Sequence, residues 1–451
     1  MSITTDGWTS KNSKTSYNAT TCHYINEKFE MKIFCLGHDK IEGEHTGLKL
    51  KSCIEKTLID FDLLGNDNTI PVYSVTDNAR NLVAAMNSLK SSYNQVDRRS
   101  CFCHDAQLCI NDVKKEVRGL SEACAKGRVI AGHVNRSSAA HDAVMEAQLL
   151  DPDHRNLEVI QDVTTRWNSE YLMLERLVTL RIPLTIALAD SDIDTLTNAE
   201  WETVRSYVEV LRPTAEATVE MSSQSNPTSS LIYPILYSIR KLWENHLDES
   251  QQVEYRTSKS KALAKHLIIA LQSRFPDYKN DKVIVFSMIL HPSFKLILLD
   301  DAQRKLWTSK LYEETLLINQ QKESSIQASQ PENAEPPPKK KAFSLWSIID
   351  KGLPNNSTMQ LELKNVIEAE VDRFLAHPTI SREEDALQFW RDNRNVYPKL
   401  FPVAKHYLGI PAAQVASERQ NSTANNVISD RRSCIDPLHA KQLIFLHENL
   451  K

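Results

Sequence analysis

Ile70-Pro71-Val72-Tyr73-Ser74-Val75-Thr76-Asp77 is a short apolar run that ends on an acid, and its neighbours decide the fold. Its length and β-branched residues suit a buried strand. Asn81 to Leu89, just after it, has helical spacing, and upstream Leu50, Cys53, Ile54 and Leu58 recur at helical spacing too. Ahead of that helix, three stretches read as strands. Ser2-Ile3-Thr4-Thr5 is β-branched and leads directly to Asp6. Tyr17 to Ile25 is rich in threonine and aromatic residues. In Phe29-Glu30-Met31-Lys32-Ile33 apolar side chains alternate with charges, the mark of a half-buried strand.

Three strands, helix, strand, helix is the order of an RNase H-like α/β core. We place the first part of that core at residues 1–179. Beyond it the pattern changes to long amphipathic segments, such as Trp201 to Leu211, Leu231 to Leu247 and Ala262 to Phe275. They predict an all-helical insertion over 180–319. Residues 320–342 crowd Gln, Ser, Glu and Pro and end on Pro336-Pro337-Pro338-Lys339-Lys340-Lys341. Such a composition buries too little surface to order itself, so a disordered linker is predicted. The Pro-Lys run has two open readings, a nuclear import signal or a solvated charge run. Helices resume over 343–384 as a continuation of the insertion, and 385–451 forms a compact C-terminal region.

Bulk composition narrows the function. A chain of 451 residues predicts two or three packed units. Only 10 glycines argue against Gly-rich phosphate loops and a turn-dense all-β fold. The formal net charge is −4, whereas stand-alone DNA-binding domains are usually basic, so no obvious DNA clamp is encoded. The 8 cysteines are scattered and no apolar run reaches the length of a membrane span, which predicts a reduced intracellular protein with no membrane partner. No pairing of Cys-x-x-Cys with a spaced histidine pair occurs, so no zinc is expected. Cys101-Phe102-Cys103-His104 offers half a zinc site at most, and structural packing is its other reading.

Asp6 and Asp77 each follow a predicted strand. Neighbouring strand ends would bring them together, and two carboxylates supply hard oxygen ligands for a divalent cation. With a third, two metals could flank an in-line displacement at phosphorus. An aspartate after a strand is also a common turn former or helix cap.

The company these residues keep resembles one family. Thr4-Thr5-Asp6-Gly7-Trp8-Thr9-Ser10, His23-Tyr24-Ile25, Glu44-His45-Thr46 and Val75-Thr76-Asp77-Asn78-Ala79-Arg80-Asn81 are similar to the first half of hAT transposases and their domesticated BED-zinc-finger relatives. Cys101-Phe102-Cys103-His104 and Thr164-Thr165-Arg166-Trp167-Asn168-Ser169 resemble the segments that follow. Phe389-Trp390, Tyr397-Pro398, Leu408-Gly409-Ile410-Pro411-Ala412 and Ala416-Ser417-Glu418-Arg419 resemble the C-terminal dimerisation region. The segments keep the family's order over essentially the whole chain.

The resemblance implies an α/β RNase H-like core interrupted by a large all-α insertion, with a C-terminal hAT dimerisation region. It implies a DDE triad of Asp6, Asp77 and Glu418, holding Mg or Mn if the protein is active. It ties Trp167 to stacking on an extruded base, with Arg166 on a phosphate; the other reading of Trp167 is a core residue. It implies self-association, as a homodimer or higher oligomer, through Phe389, Trp390, Leu443, Phe445 and Leu446. Those side chains could instead close the chain's own core. It further implies a nuclear location and DNA recognition through a BED finger, which this chain lacks ahead of its first strand. The functional expectation is a transposase-derived, DNA-associated dimer. An active transposase that cuts and joins DNA ends and an inert helical scaffold are the alternatives. Two positions depart from the family, with Asn421 in place of an aromatic and Asn425 in place of a glycine.

Overall fold

The structure, a computed structural model, describes residues 1–9, 15–65, 71–150, 156–163, 167–328, 356–428 and 435–450, with side chains from 322 to 328 and 356 to 360 left aside. One five-stranded sheet organises the first hundred residues. Its strands are β1 (Ser2–Thr9), β2 (Ser16–Ile25), β3 (Met31–Ile41), β4 (Val72–Thr76) and β5 (Val96–Ser100), in the spatial order β3-β2-β1-β4-β5. The β1–β2 and β2–β3 pairs are antiparallel, and β1–β4 and β4–β5 are parallel. Helix α1 (Gly47–Asp60) leads from β3 to β4 and α2 (Arg80–Ser92) from β4 to β5, as parallel neighbours require.

Alternation along the strands gives the sheet two buried faces. Ile3, Leu36, Val72 and Val96 join Ile54 and Leu58 of α1 and Leu82, Met86 and Leu89 of α2 in one core. Ser2 and Thr4, alternate residues on β1, bond instead to the backbone of Gly409 and the hydroxyl of Ser417, near the C-terminus. The last part of the chain therefore returns to cover the sheet laid down by the first.

Three strand expectations change in detail. β1 does not stop before Asp6 but runs on to Thr9, so Asp6 lies within it. The third strand begins at Met31, and Phe29 sits in the preceding turn at φ 55°. There its buried ring packs on Trp390 and Phe401, so its burial comes from a turn and not from strand alternation. β5, Val-Asp-Arg-Arg-Ser, is too charged for the pattern to reveal it.

The remaining helices in the first 179 residues are α3 (Phe102–Glu116), α4 (Leu120–Arg136), α5 (Ser138–Gln148) and α6 (Trp167–Thr179). The stretch read as insertion holds α7 (Arg181–Ala187), α8 (Asn198–Met221), α9 (Ser229–Leu247), α10 (Ser258–Arg274), α11 (Lys282–Leu290) and α12 (Asp301–Ala328). Thr197 and Glu200 form a capping box that starts α8. α11, Lys-Val-Ile-Val-Phe-Ser-Met-Ile-Leu, is apolar all round and accordingly buried, packed among α9, α12 and the C-terminal helices. α12 continues to Ala328, into the stretch read as linker; the rest of that stretch, with its Pro-Lys run, lies outside the described residues.

After α13 (Asn356–Ala376) come the short helices α14 (Ala386–Asp392) and α15 (Phe401–Leu408), then α16 (Val415–Val427) and α17 (Pro437–Asn449). α16 lies across β1, β2 and β3, and α17 packs along β3. At the end of α17 the Asn449 carboxamide accepts from the Cys35 N–H at 2.9 Å and donates to its carbonyl at 3.0 Å. It satisfies an edge-strand residue that would otherwise stay open to pairing.

Candidate acidic site and C-terminal region

β1 pairs with β4 only through Ser2, Ile3 and Thr4, whereas its pairing with β2 continues to Thr9. Past Thr4 the sheet therefore opens between β1 and the end of β4. Asp6 stands on one side of this opening and Asp77, the residue after β4, on the other. α16 brings Glu418 in its first turn, where the helix dipole favours a negative charge.

Hydroxyl groups hold α16 on the sheet. Ser417 Oγ meets Thr4 Oγ1 at 2.5 Å and Thr21 Oγ1 at 3.5 Å, and Thr21 also bonds His23 Nε2 at 2.9 Å. All four residues are buried. One turn on, Asn421 Oδ1 accepts from His38 Nε2 at 3.1 Å, and its Nδ2 donates to Asp6 Oδ2 at 2.7 Å. Since a carboxamide oxygen only accepts, His38 is the donor and carries its proton on Nε2. Gln414 Nε2 donates to the other Asp6 oxygen at 3.2 Å. Neither amide was foreseen as part of the site, although Asn421 stood out as a departure.

The Asp77 turn has its own clamp. Asp77 Oδ1 accepts from the Ala79 N–H at 3.0 Å, an Asx turn. Arg98, from β5, donates to the Thr76 hydroxyl, the Asp77 carbonyl and the Asn78 side chain. Asn78 in turn donates to buried Asp105 at 2.6 Å. Strand β5 was unread in the sequence, and the role of Arg98 went with it.

Electrostatics tie the three acids together. The Asp6 carboxyl is pushed up to about 7, first by burial, next by the charge of Glu418 and then by that of Asp77, against the hydrogen bonds from Asn421 and the Gly7 backbone. Two carboxylates thus act on a third across a shared space. The donor set, three hard carboxylates, fits Mg or Mn. The conformation does not close on an ion: among the described residues no group of three His, Cys, Asp or Glu side chains is arranged to hold one. Both Asp6 oxygens instead take amide hydrogens.

Cys101 is fully buried beside Val75 and Ala413, and its sulfur accepts from the Gln414 N–H. Its packing reading describes what it does. Trp167 is 7% exposed, lies in the main core and meets Tyr171 edge-on, so as placed it offers no free face to a base. Arg166 lies outside the described residues. Part-buried ion pairs flank this segment, with Arg128 bonded to Asp162 and Glu170 and Lys114 to Glu170, which also accepts from the Tyr207 hydroxyl.

The dimerisation expectation divides. Trp390 is fully buried, donates from Nε1 to the Leu290 carbonyl at 3.0 Å and packs on Phe374 and Tyr397. Phe389 is buried in the same aromatic cluster. In the chain as folded these two close its own core, the other reading open for them, because α14 tucks between α11 and α13 instead of facing outward. On α17, Ala440 and Ile444 face inward, Leu443 and Leu446 are exposed, and Phe445 is half-buried.

Residues 370–450 match the hAT family C-terminal dimerisation region, and residues 99–210 match the ZBED1 RNase-like helical domain. The chain is 27% identical over 386 residues to human "Zinc finger BED domain-containing protein 4", covering 84% of this chain and 31% of that protein. It is 24% identical over 462 residues to the Zea mays "Putative AC transposase", covering 96% of this chain and 54% of that protein. Rice "Zinc finger BED domain-containing protein RICESLEEPER 2" is 20% identical over 487 residues, covering 98% of this chain and 64% of that protein. The chain thus spans between 31% and 64% of the length of these relatives. Among the described residues no helix is long and apolar enough to cross a membrane.

Proposed function

From the premise that the chain belongs to the hAT transposase-derived family, we propose that it is a nuclear, DNA-associated protein that self-associates through its C-terminal region. Its sheet, in the order β3-β2-β1-β4-β5 with three antiparallel and then two parallel strands, is read as an RNase H-like core. Asp6, Asp77 and Glu418 are read as the family's DDE triad. The observation that supports this reading is the return of α16 onto β1, which sets Glu418 where it and Asp77 both raise the Asp6 carboxyl.

Bound Mg or Mn would activate an attacking hydroxyl and stabilise the leaving oxygen at phosphorus. The residues that would hold it are Asp6, Asp77 and Glu418. Gln414 and Asn421 must then release the Asp6 oxygens, because an N–H donor and a cation compete for the same lone pairs. The amides at Asp6 therefore speak against a standing metal-loaded nuclease. Self-association is assigned to the exposed row Leu443 and Leu446 with Phe445.

A gel-shift assay of the full chain on duplex and single-stranded DNA tests the DNA reading, and light scattering tests self-association. A shifted band and a dimer mass are expected. A monomer that shifts neither DNA overturns the proposal. Manganese-dependent nicking by the parent, abolished by Asp77→Ala, would replace it with the active-transposase reading.

A further inference from the structure

The two carboxamides that hold Asp6 each have a second end. Gln414 is only 4% exposed, and its Nε2 donates to Asp6 Oδ1 at 3.2 Å. Its Oε1 is buried as well and has no hydrogen-bond partner among the described residues. An amide oxygen shut away from water without a donor is unfavourable and calls for an explanation. The Gln414 backbone is tied down, because its N–H donates to the buried Cys101 sulfur at 3.5 Å. The last torsion of a glutamine is broad and two-fold, so the carboxamide can turn end for end without moving the chain. As placed, its nitrogen meets Asp6 and its oxygen meets nothing. Half a turn exchanges which end lacks a partner and sets an oxygen beside Asp6 in place of a donor.

Asn421 can make the same turn, through His38. At present His38 Nε2 donates to Asn421 Oδ1, and Asn421 Nδ2 donates to Asp6 Oδ2. The other ring nitrogen, His38 Nδ1, is buried and unpartnered among the described residues. A neutral imidazole holds its one proton on either nitrogen. With the proton on Nδ1, Nε2 accepts from Asn421 Nδ2, and the amide oxygen points at Asp6. The line from His38 to Asp6 therefore runs in either direction with the same number of protons.

A cation decides which direction is favoured. Beside a bare carboxylate an amide N–H is attracted and an amide oxygen repelled. Beside a divalent ion the order reverses, because Asn and Gln carbonyls are hard oxygen ligands that such ions take together with carboxylates. Asn421 stands where the family carries an aromatic, so this amide belongs to the present chain.

We infer that Gln414 and Asn421 are further ligands of the acidic site: they cap Asp6 while no cation is bound and turn their oxygens onto a divalent ion when one is. The inference rests on the reading of Asp6, Asp77 and Glu418 as a metal-binding triad. It adds two neutral oxygens to the donor set and gives the unpartnered Gln414 oxygen a use.

The test is manganese affinity of the full chain, read from the free-ion signal in electron paramagnetic resonance at about pH 8. Gln414→Met and Asn421→Leu keep the size of each side chain and remove both its donor and its oxygen. Amides that only cap would compete with the ion, and both variants would then bind manganese as well as the parent or better. Amides that turn are ligands, and both variants should bind more weakly. Partners of metal ligands are commonly worth about 10–100-fold in affinity, so each loss should be at least about tenfold. Thermal melting checks that each variant folds. Should one melt early, infrared difference spectra of the parent labelled with 13C at its glutamine and asparagine carboxamides take its place: adding manganese should shift a labelled carbonyl band, and no shift overturns the inference. Unchanged or tighter binding by the folded variants also overturns it and leaves the triad reading standing. If Asp77→Ala binds manganese as the parent does, or the parent binds none, the triad reading falls and this inference falls with it.

Discussion

Asp6→Asn should make the stability of this protein less sensitive to rising pH, by an amount the site itself sets. The Asp6 carboxyl is lifted from 3.8 to about 7, by burial first and then by Glu418 and Asp77. An acid raised on folding contributes its full stability below the unfolded value and loses it as pH rises through the folded value. Between those two values the folded protein holds a proton that the unfolded chain has released. Each pH unit in the window costs about 1.4 kcal/mol, so the whole shift amounts to about 4 kcal/mol above neutrality. Moving from about pH 5.5 to about pH 8.5 crosses the upper half of the window, roughly 2 kcal/mol.

Asparagine has no proton to lose. It does bring a donor to a place where Gln414 and Asn421 both donate, which costs about 1 kcal/mol at either pH. The other titrating groups are common to parent and variant and cancel. Urea denaturation of both proteins in EDTA at the two pH values is the assay. The parent should lose roughly 2 kcal/mol more than Asp6→Asn between them. Glu418→Gln in the parent background should shrink that difference, since it removes the larger of the two charges acting on Asp6. Parallel pH profiles for parent and Asp6→Asn would refute the reasoning outright.

Other outcomes follow from the same contacts. Trp390→Ala should cost about 3–5 kcal/mol and lower the melting temperature sharply, because a fully buried indole and its bond to the Leu290 carbonyl are lost. Leu443→Glu with Leu446→Glu should behave in the opposite way, leaving melting nearly unchanged while light scattering reports a lower mass; an unaltered oligomer would remove α17 from the interface. Ser417→Ala should cost about 1–3 kcal/mol in denaturant, because Thr4 and Thr21 lose a buried partner. Adding manganese at about pH 8.5 should raise the melting temperature of the parent but not of Asp6→Asn combined with Glu418→Gln, and a rise shared by both would place the ion elsewhere.

The sheet was largely legible because its strands carry strong local signals. Val72 to Thr76 is a compact apolar run, and Tyr17 to Ile25 is dense in β-branched and aromatic residues. β5 was not legible, since Val-Asp-Arg-Arg-Ser has neither alternation nor apolar mass; its neighbours β4 and α3 make it a strand. Phe29 misled in the other direction. It looked like the start of a strand, yet its burial comes from Trp390 and Phe401, more than three hundred residues away, which no window of sequence sees. The same distance hid the fate of Phe389 and Trp390. An amphipathic helix announces that one face must be covered but not by what, and here the cover is α11 and α13 of the same chain.

The acidic site shows where pattern and packing part company. Asp77 could be placed by local reading, since it follows a strand and closes an Asx turn. Glu418 could not, since only the return of α16 onto β1 brings it within reach of Asp6. Most consequential is Asn421. An aromatic at that position would press an apolar ring against the sheet, whereas asparagine runs a hydrogen-bonded line from His38 through its own amide to Asp6. Burial keeps His38 neutral, down at about 4, so the line ends in an uncharged donor and not in a cation. Asp6 is therefore held by dipoles in a space where two other carboxylates repel it. As pH rises through about 7 the carboxylate so formed is answered by dipoles and, among the described residues, by no ion pair. Whatever binds there must first displace the Asn421 and Gln414 amides, so the departure at residue 421 bears on the affinity of the site as much as on its shape.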